Sequence, residues 1–309
     1  AGGMVRSAEE WKSHPQAAAI AALALMEIVK IGEAPVEPLP KGDRPLSGIK
    51  VVDITRVLAA PAGSMIGRFC SADVMKITTA HLPNLGYQEW DTGHGKLSTQ
   101  LDMRDPAQLE TLRGLIKQAD VFSQGYRPGT LGGRGLAPEE LAKLRPGLVY
   151  VSLCAFSHKG PWASRRGFDT VVQTVSGITK RQGDLFPGKE AGPQFYPLSA
   201  IDYCTGYLMA MGAMIALARR AEQGGSWLVR ISLAQVGKWL VDLGEVPEQS
   251  LKGVPAEFTQ EELAGWSMVT ETPSGPLRHL KPAVQMSETP ARWARPSVPL
   301  GYHRPVWPN

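Results

Sequence analysis

Pro45-Leu46-Ser47-Gly48-Ile49-Lys50-Val51-Val52-Asp53-Ile54 is the stretch whose reading decides the fold. From Ile49 it is a short β-branched run without apolar/polar alternation, as expected of a strand buried on both faces of a parallel sheet. Downstream, Asp73-Val74-Met75-Lys76-Ile77-Thr78 reads as a second strand and Lys96 to Leu101 as a third. Ala119-Asp120-Val121-Phe122, then Gly147 to Leu153, then Trp227 to Leu233 complete the set. Helical patterns lie between them. Small residues from Ala59 to Gly67 suit a tightly packed helix. Asp105-Pro106 opens an amphipathic one carrying Leu109, Leu112, Leu115 and Ile116, with Asp105 as cap and proline at the first helical position. A further helix begins near Pro138. A long one starts at Asp202 and stops before Gly224-Gly225, with Gly206, Ala210 and Ala213 on one face. Strand and helix in alternation predict an α/β fold, a Rossmann-like open parallel sheet with helices on both faces. Ligands bind such sheets outside the carboxyl ends of the strands, so the loops after Ile54, Thr78, Gln124 and Leu153 are the places for a site.

Outward from this core, residues 1–45 read as a helical appendage and linker. Ser7 and Glu10 have capping-box spacing, an alanine-rich helical stretch runs to about Lys30, and a proline-rich segment leads to Pro45. Residues 46–245 form the large domain. Residues 246–309, rich in proline and tryptophan, are expected to wrap its surface as irregular chain.

The 309 residues are 43% hydrophobic and 20% charged, a globular composition. The net charge of +4 is spread without a basic run, which points away from nucleic acid. No stretch reaches the roughly 18 consecutive apolar residues of a membrane helix. Cys70, Cys154 and Cys204 are scattered, with neither metal-ligand nor disulfide-framework spacing, so the cytoplasm is the expected compartment and no metal is expected. Arg56-Val57-Leu58-Ala59-Ala60-Pro61 stands where a G-x-G-x-x-G would follow the first strand. P-loop, H-E-x-x-H, CxxC and G-x-S-x-G are absent too, which argues against dehydrogenase, NTPase, zinc-enzyme and serine-hydrolase chemistry.

The segments together resemble the class III CoA-transferase family, which includes formyl-CoA transferase, carnitine CoA-transferase and α-methylacyl-CoA racemase. Residues 45–57 are similar to the family's opening, and Ala72 to Ile77 to its second strand. Gly95 to Asp102 resembles its "NKRS…LDL" stretch, and Ala119 to Gly129, with Tyr126-Arg127-Pro128-Gly129, its "ADV…ENFRPG". Gly160-Pro161, Arg166-Gly167-Phe168-Asp169 and Gln173 to Gly177 resemble "GP…RPGYD…Q…SG". Leu198 to Gly206, Gly224 to Leu233 and Pro299-Leu300-Gly301 follow in order.

The resemblance implies transfer of CoA from an acyl-CoA to a small carboxylic acid through an aspartyl anhydride and an aspartyl-CoA thioester. CoA is then a substrate, no cofactor is tightly bound, and the assembly is an interlocked homodimer. A carboxylate nucleophile divides one hard exchange into easier steps. The resemblance nominates Asp202 as that nucleophile and Asp169 as the second carboxylate; as bare sequence each also reads as a helix cap. In racemases the position of Phe168 is a proton-transferring histidine, and phenylalanine moves no proton. For CoA the resemblance points to Arg56, Leu58, Ala59, Lys96, Tyr126 and Arg166: cations for phosphates, an aromatic ring for adenine.

Three departures stand against it. Thr78 to Pro83 lacks the family's arginine, the usual lysine–arginine pair is Lys96-Leu97, and the small domain with its glycine-rich lid is largely missing. The competing expectation is a catalytically weak or silent homologue that binds CoA or serves as a structural subunit.

Overall fold

A computed structural model describes residues 2–58, 72–82, 86–185, 192–255, 257–282, 284 and 286–308. Among them, seven strands form one sheet: β1 (Glu27–Gly32), β2 (Lys50–Asp53), β3 (Asp73–Thr78), β4 (Lys96–Gln100), β5 (Val121–Gln124), β6 (Val149–Cys154) and β7 (Ser226–Ser232). Their spatial order is β1-β7-β6-β5-β2-β3-β4. Every pairing is parallel except β1 with β7. From β2 the chain winds outward to β3 and β4, then returns to the other side through β5, β6 and β7. The topological switch point therefore lies between β2 and β5, where open α/β sheets place their ligands.

Both faces of the sheet are covered, as the unalternating runs require. Val51, Val121, Val149, Val151 and Val229 pack on one side beneath Ile201, Met209, Ala213 and Leu217 of a long helix, α8 (Ala200–Gln223). Val52, Met75, Phe122, Tyr150 and Leu228 face the other side. There they meet α4 (Pro106–Ile116) through Leu112, Leu115 and Ile116, and α5 (Pro138–Leu144) through Leu141. α4 starts as its sequence predicts: Asp105 Oδ1 accepts the N–H of Ala107 at 2.8 Å, with Pro106 in the first turn. α8 ends at Gly224, whose φ of +65° suits glycine. The small residues of α8 allow a close seat on the sheet; a Cβ on Gly212 would lie 2.6 Å from Val229.

The amino-terminal segment belongs to this domain, in contrast to the helical appendage expected from sequence. α1 (Ala8–Lys12) has the expected Ser7–Glu10 capping box, and α2 (Pro15–Ala21) follows it. The helix stops well before Lys30. Ile28, Val29 and Ile31 belong to β1, which adds an antiparallel edge to β7. Tertiary pairing overrides the helical preference of the preceding alanines. Gln16 is fully buried. Its Nε2 donates to the carbonyls of Phe156 (2.6 Å) and Lys159 (2.9 Å), and its Oε1 accepts the Trp162 N–H (2.7 Å). α2 is thereby stitched to the loop after β6.

Residues beyond 245 are more regular than expected. After β7 and a helix α9 (Leu233–Asp242), α10 (Gln260–Trp266) leads into a hairpin of β8 (Ser267–Thr272) and β9 (Gly275–Leu280). The last segment runs irregularly along the opposite sheet edge. Ser98 of β4 exchanges bonds with His303 (Ser98 O from His303 N–H, 2.7 Å; Ser98 N–H to Nδ1, 3.0 Å), and Arg295 pairs with Asp73 at 2.8 Å. Buried Trp307 donates its indole N–H to Leu115 O at 3.2 Å.

Candidate active site

Two short helices after β6, α6 (Asp169–Val175) and α7 (Ile178–Leu185), lead back toward the start of α8. This path brings together two carboxyl groups 33 positions apart. Asp169 is the first residue of α6 and Asp202 lies in the first turn of α8. The Asp202 N–H donates to Asp169 Oδ2 at 3.0 Å. The N-cap of α8, Ser199, makes no side-chain capping bond, so Asp169 serves as a cap from a neighbouring helix. Gln173, one turn after Asp169, donates from Nε2 to Asp169 Oδ1 and accepts the Tyr196 N–H on Oε1 at 2.9 Å. Asp169 is thus held between two elements by fixed donors.

Both carboxyls are buried, at 2% exposure for Asp169 and 7% for Asp202. Their electrostatics differ. Burial raises Asp169 above the usual carboxylate range, while the bonds from Gln173 and the backbone N–H groups of Asp202 and Ile201 oppose that. Burial, with the neighbouring Asp169 charge adding to it, pushes Asp202 up to about 7. Both carboxyls are thus pushed toward the acid form by burial, Asp169 against the opposing pull of its hydrogen-bond donors and Asp202 to a point between its acid and its anion near neutrality. Gly167 is needed here because the chain passes tightly: a Cβ would lie 2.8 Å from Ala155 Cβ and 2.9 Å from the Phe156 ring. Phe168 is half exposed beside the pair.

The residues nominated for CoA fall in different places. Arg56 and Leu58 follow β2 and Tyr126 follows β5, so they flank the switch point. Arg56 is partly exposed and close enough to Tyr126 to oppose the rise that burial causes in the phenol's pKa. Tyr126 is anchored by its N–H to Gln124 Oε1 at 2.6 Å. Between Arg56 and Leu58, Val57 has φ +60°. A β-branched residue in that region is strained, a cost usually met at functional loops. Arg166 is exposed, three residues before Asp169. Ala59 lies outside the described residues, as does the expected Ala59–Gly67 helix.

Lys96 lies inside the sheet, 1% exposed, with Nζ 3.3 Å from Asp53 Oδ2. Thr55 donates to the other oxygen of that carboxylate from its N–H (2.9 Å) and hydroxyl (2.5 Å). Burial pulls the Lys96 ammonium down to about 8, against the pull of Asp53. Next to it Lys76 of β3 pairs with Glu89 of the helix α3 (Gly86–Thr92), so one buried ion pair spans β2 and β4 and a second ties β3 to α3. Gln173 is the positioning residue for which sequence reading named no role. The signal was available in the Asp169–Gln173 spacing of four, which places both on one helix face.

The model of CoA-transferase family III matches residues 46–254. Among curated relatives, the acyl-CoA transferase of Gibberella moniliformis is 33% identical over 243 residues, covering 75% of this chain and 42% of its own length. The succinyl-CoA:glutarate CoA-transferase of Homo sapiens is 31% identical over 186 residues, covering 56% and 41%. A hypothetical protein from Mycobacterium tuberculosis superposes with a TM-score of 0.57 at 30% identity, over 65% of this chain and 59% of that one. A CaiB/BaiF family protein from Brucella suis gives a TM-score of 0.55 at 27% identity, over 67% and 60%. The chain spans about a third to a half of the length of the curated relatives it matches. A match across most of the chain, spanning both members of the aspartate pair, places it: the chain belongs to CoA-transferase family III.

Proposed function

We propose that this chain moves CoA from an acyl-CoA thioester to a small carboxylic acid through a covalent aspartyl intermediate on the Asp169–Asp202 pair. The observation that carries the reading is the pair itself, two buried carboxyls joined by the 3.0 Å bond from Asp202 N–H to Asp169 Oδ2. A carboxylate attacks the thioester carbonyl, a C–O bond forms, the C–S bond breaks, and CoA leaves as thiolate. The thiolate attacks the aspartyl carbonyl of the anhydride, giving aspartyl-CoA and releasing the donor acid as its carboxylate. The acceptor carboxylate then repeats both steps in reverse order and frees the aspartate. No net proton is needed, in keeping with Phe168 beside the pair.

The attacking group must be charged. Asp202 is the nucleophile that the resemblance nominates. The hydrogen bonds favour exchanging the roles. Asp169 has three donors opposing its protonation, whereas burial brings Asp202 up to about 7. We therefore assign the covalent step to Asp169 and assign Asp202 to shaping its charge and orientation. Arg56, Leu58 and Tyr126 would receive CoA at the switch point, with Arg166 at the approach to Asp169. Relatives named for glutarate and oxalate support a small carboxylic acid as acceptor. A homodimer working in the cytoplasm completes the reading.

The specific observation for a weaker or silent homologue is Lys96. Its ammonium is spent on Asp53 inside the sheet, so a phosphate reached from solvent would lack it.

The deciding experiment is intact-mass spectrometry after exposure to a panel of acyl-CoAs, with and without hydroxylamine, on wild type, Asp169→Asn and Asp202→Asn. An adduct removed by hydroxylamine, absent in Asp169→Asn and slowed in Asp202→Asn, is expected. Loss only in Asp202→Asn would restore the roles nominated from sequence. CoA binding without any adduct would leave the silent homologue.

A further inference from the structure

A second concavity opens at the carboxyl ends of β5, β6 and β7, and neither Asp169 nor Asp202 lines it. Its volume is about 290 Å³, near the lower end of the range for small-molecule sites. The floor is built by strand register. Gln124 stands opposite Ser152, Ser152 opposite Arg230, and Arg230 opposite Glu27, so these side chains form one row across four strands on one face. Gln124 donates from Nε2 to Ser152 Oγ at 2.7 Å, which leaves the Ser152 hydroxyl hydrogen for another acceptor.

Arg230 is the unusual member of that row. It is partly buried in the cavity, and among the described residues its guanidinium has no hydrogen-bond or ion-pair partner. The neighbouring Glu27 carboxylate lies instead 3.4 Å from His158 Nδ1. Burial lowers the pKa of that histidine, which favours a neutral ring on the wall. Arg127 lines the rim, and among the described residues its guanidinium has a long 3.3 Å bond to Ser164 O. The walls between the two arginines are apolar, with Leu131, Tyr150, Leu228 and Ile231. Glu139 also lines the cavity, and its negative charge works against a doubly charged phosphate.

We propose that this cavity binds a small monocarboxylate with a short hydrocarbon body. The carboxylate sits on Arg230 and the Ser152 hydroxyl, Arg127 closes over it from the rim, and the hydrocarbon lies against Leu131, Tyr150 and Leu228. A guanidinium offers a carboxylate two parallel donors, which matches one fork at the floor of a narrow apolar pocket. The site does not depend on the transfer chemistry proposed for the aspartate pair.

The test is saturation-transfer NMR and calorimetric titration of the full chain with butyrate, hexanoate and inorganic phosphate. Butyrate and hexanoate should bind and phosphate should not. Arg230→Gln should weaken binding about tenfold or more, the worth of a charge-assisted bond. Arg127→Gln, a change at the open rim, should weaken it several-fold and keeps the test usable if the sheet variant folds poorly. Asp169→Asn should bind as wild type does, which separates this cavity from the aspartate pair. Three results overturn the proposal: no carboxylate binding in wild type, binding unchanged in both arginine variants, or phosphate bound as well as butyrate. The first would make Arg230 a structural neighbour of Glu27 and nothing more.

Discussion

Asp202 is an acid whose folded environment opposes its charge, and that has a measurable sign. Its pKa is raised from 3.8 to about 7, first by burial and then by Asp169. Between those values the folded chain holds a proton that the unfolded chain has released, so this group's contribution to stability falls as pH rises through that window. Asp202→Asn removes the titration. Its urea midpoint should decline less than that of wild type between pH 4 and pH 7, with a relative gain on the order of 3 kcal/mol at pH 8. Parallel pH profiles for the two proteins would contradict the raised value. The same residue separates the two assignments of the covalent role. If Asp202 attacks, adduct formation should track its ionisation and drop steeply below pH 7. If Asp169 attacks, adduct should persist to lower pH, and a pH series of quenched intact-mass samples reads the difference.

At the scale of elements, the loop after β6 delivers Asp169, and α2 braces it. Gln16 is buried with three hydrogen bonds into residues 156–162. Gln16→Ala leaves the buried Phe156 carbonyl without its donor and removes two further part-buried bonds, so it should cost about 2–4 kcal/mol in urea unfolding. It should also lower the adduct rate more than a surface change of equal cost, because the braced loop leads into Gly167 and Asp169. This brace was not legible in the sequence, where Ala17 to Met26 reads as one end of a continuing helix. The parallel strands were legible because a strand covered on both faces spells itself out, as Val51-Val52 and Val149 to Leu153 do. β1 was not, because its partner Arg230 lies about two hundred residues from Glu27 and supplies the pairing that local propensity lacks. Both aspartates stood in motifs that sequence could name. Their approach, and the burial of Lys96 on Asp53 43 positions away, are tertiary facts that no local spacing carries.

At the scale of the molecule, the sheet has two edges and each is occupied by a distant end of the described chain. β1 covers β7, and residues 295–307 cover β4 through Ser98 and the adjoining Gly95, with Trp307 anchored on Leu115 of α4. An uncovered edge strand offers unpaired N–H and C=O groups to other chains. Deleting residues 294–309 should therefore convert a soluble sample into one that gains light scattering with time at constant temperature, with a melting point lower by several degrees. A truncated chain that stays monodisperse and melts like the parent would refute that role. The placement of β1 also has a consequence for synthesis. The ribosome releases β1 early, but its seat is formed only when β7 emerges, and the far edge is sealed later still, when Trp307 reaches Leu115. Until then the nascent chain carries an open sheet that grows outward from its middle, with the N–H and C=O groups of its outer strands unpaired while synthesis continues.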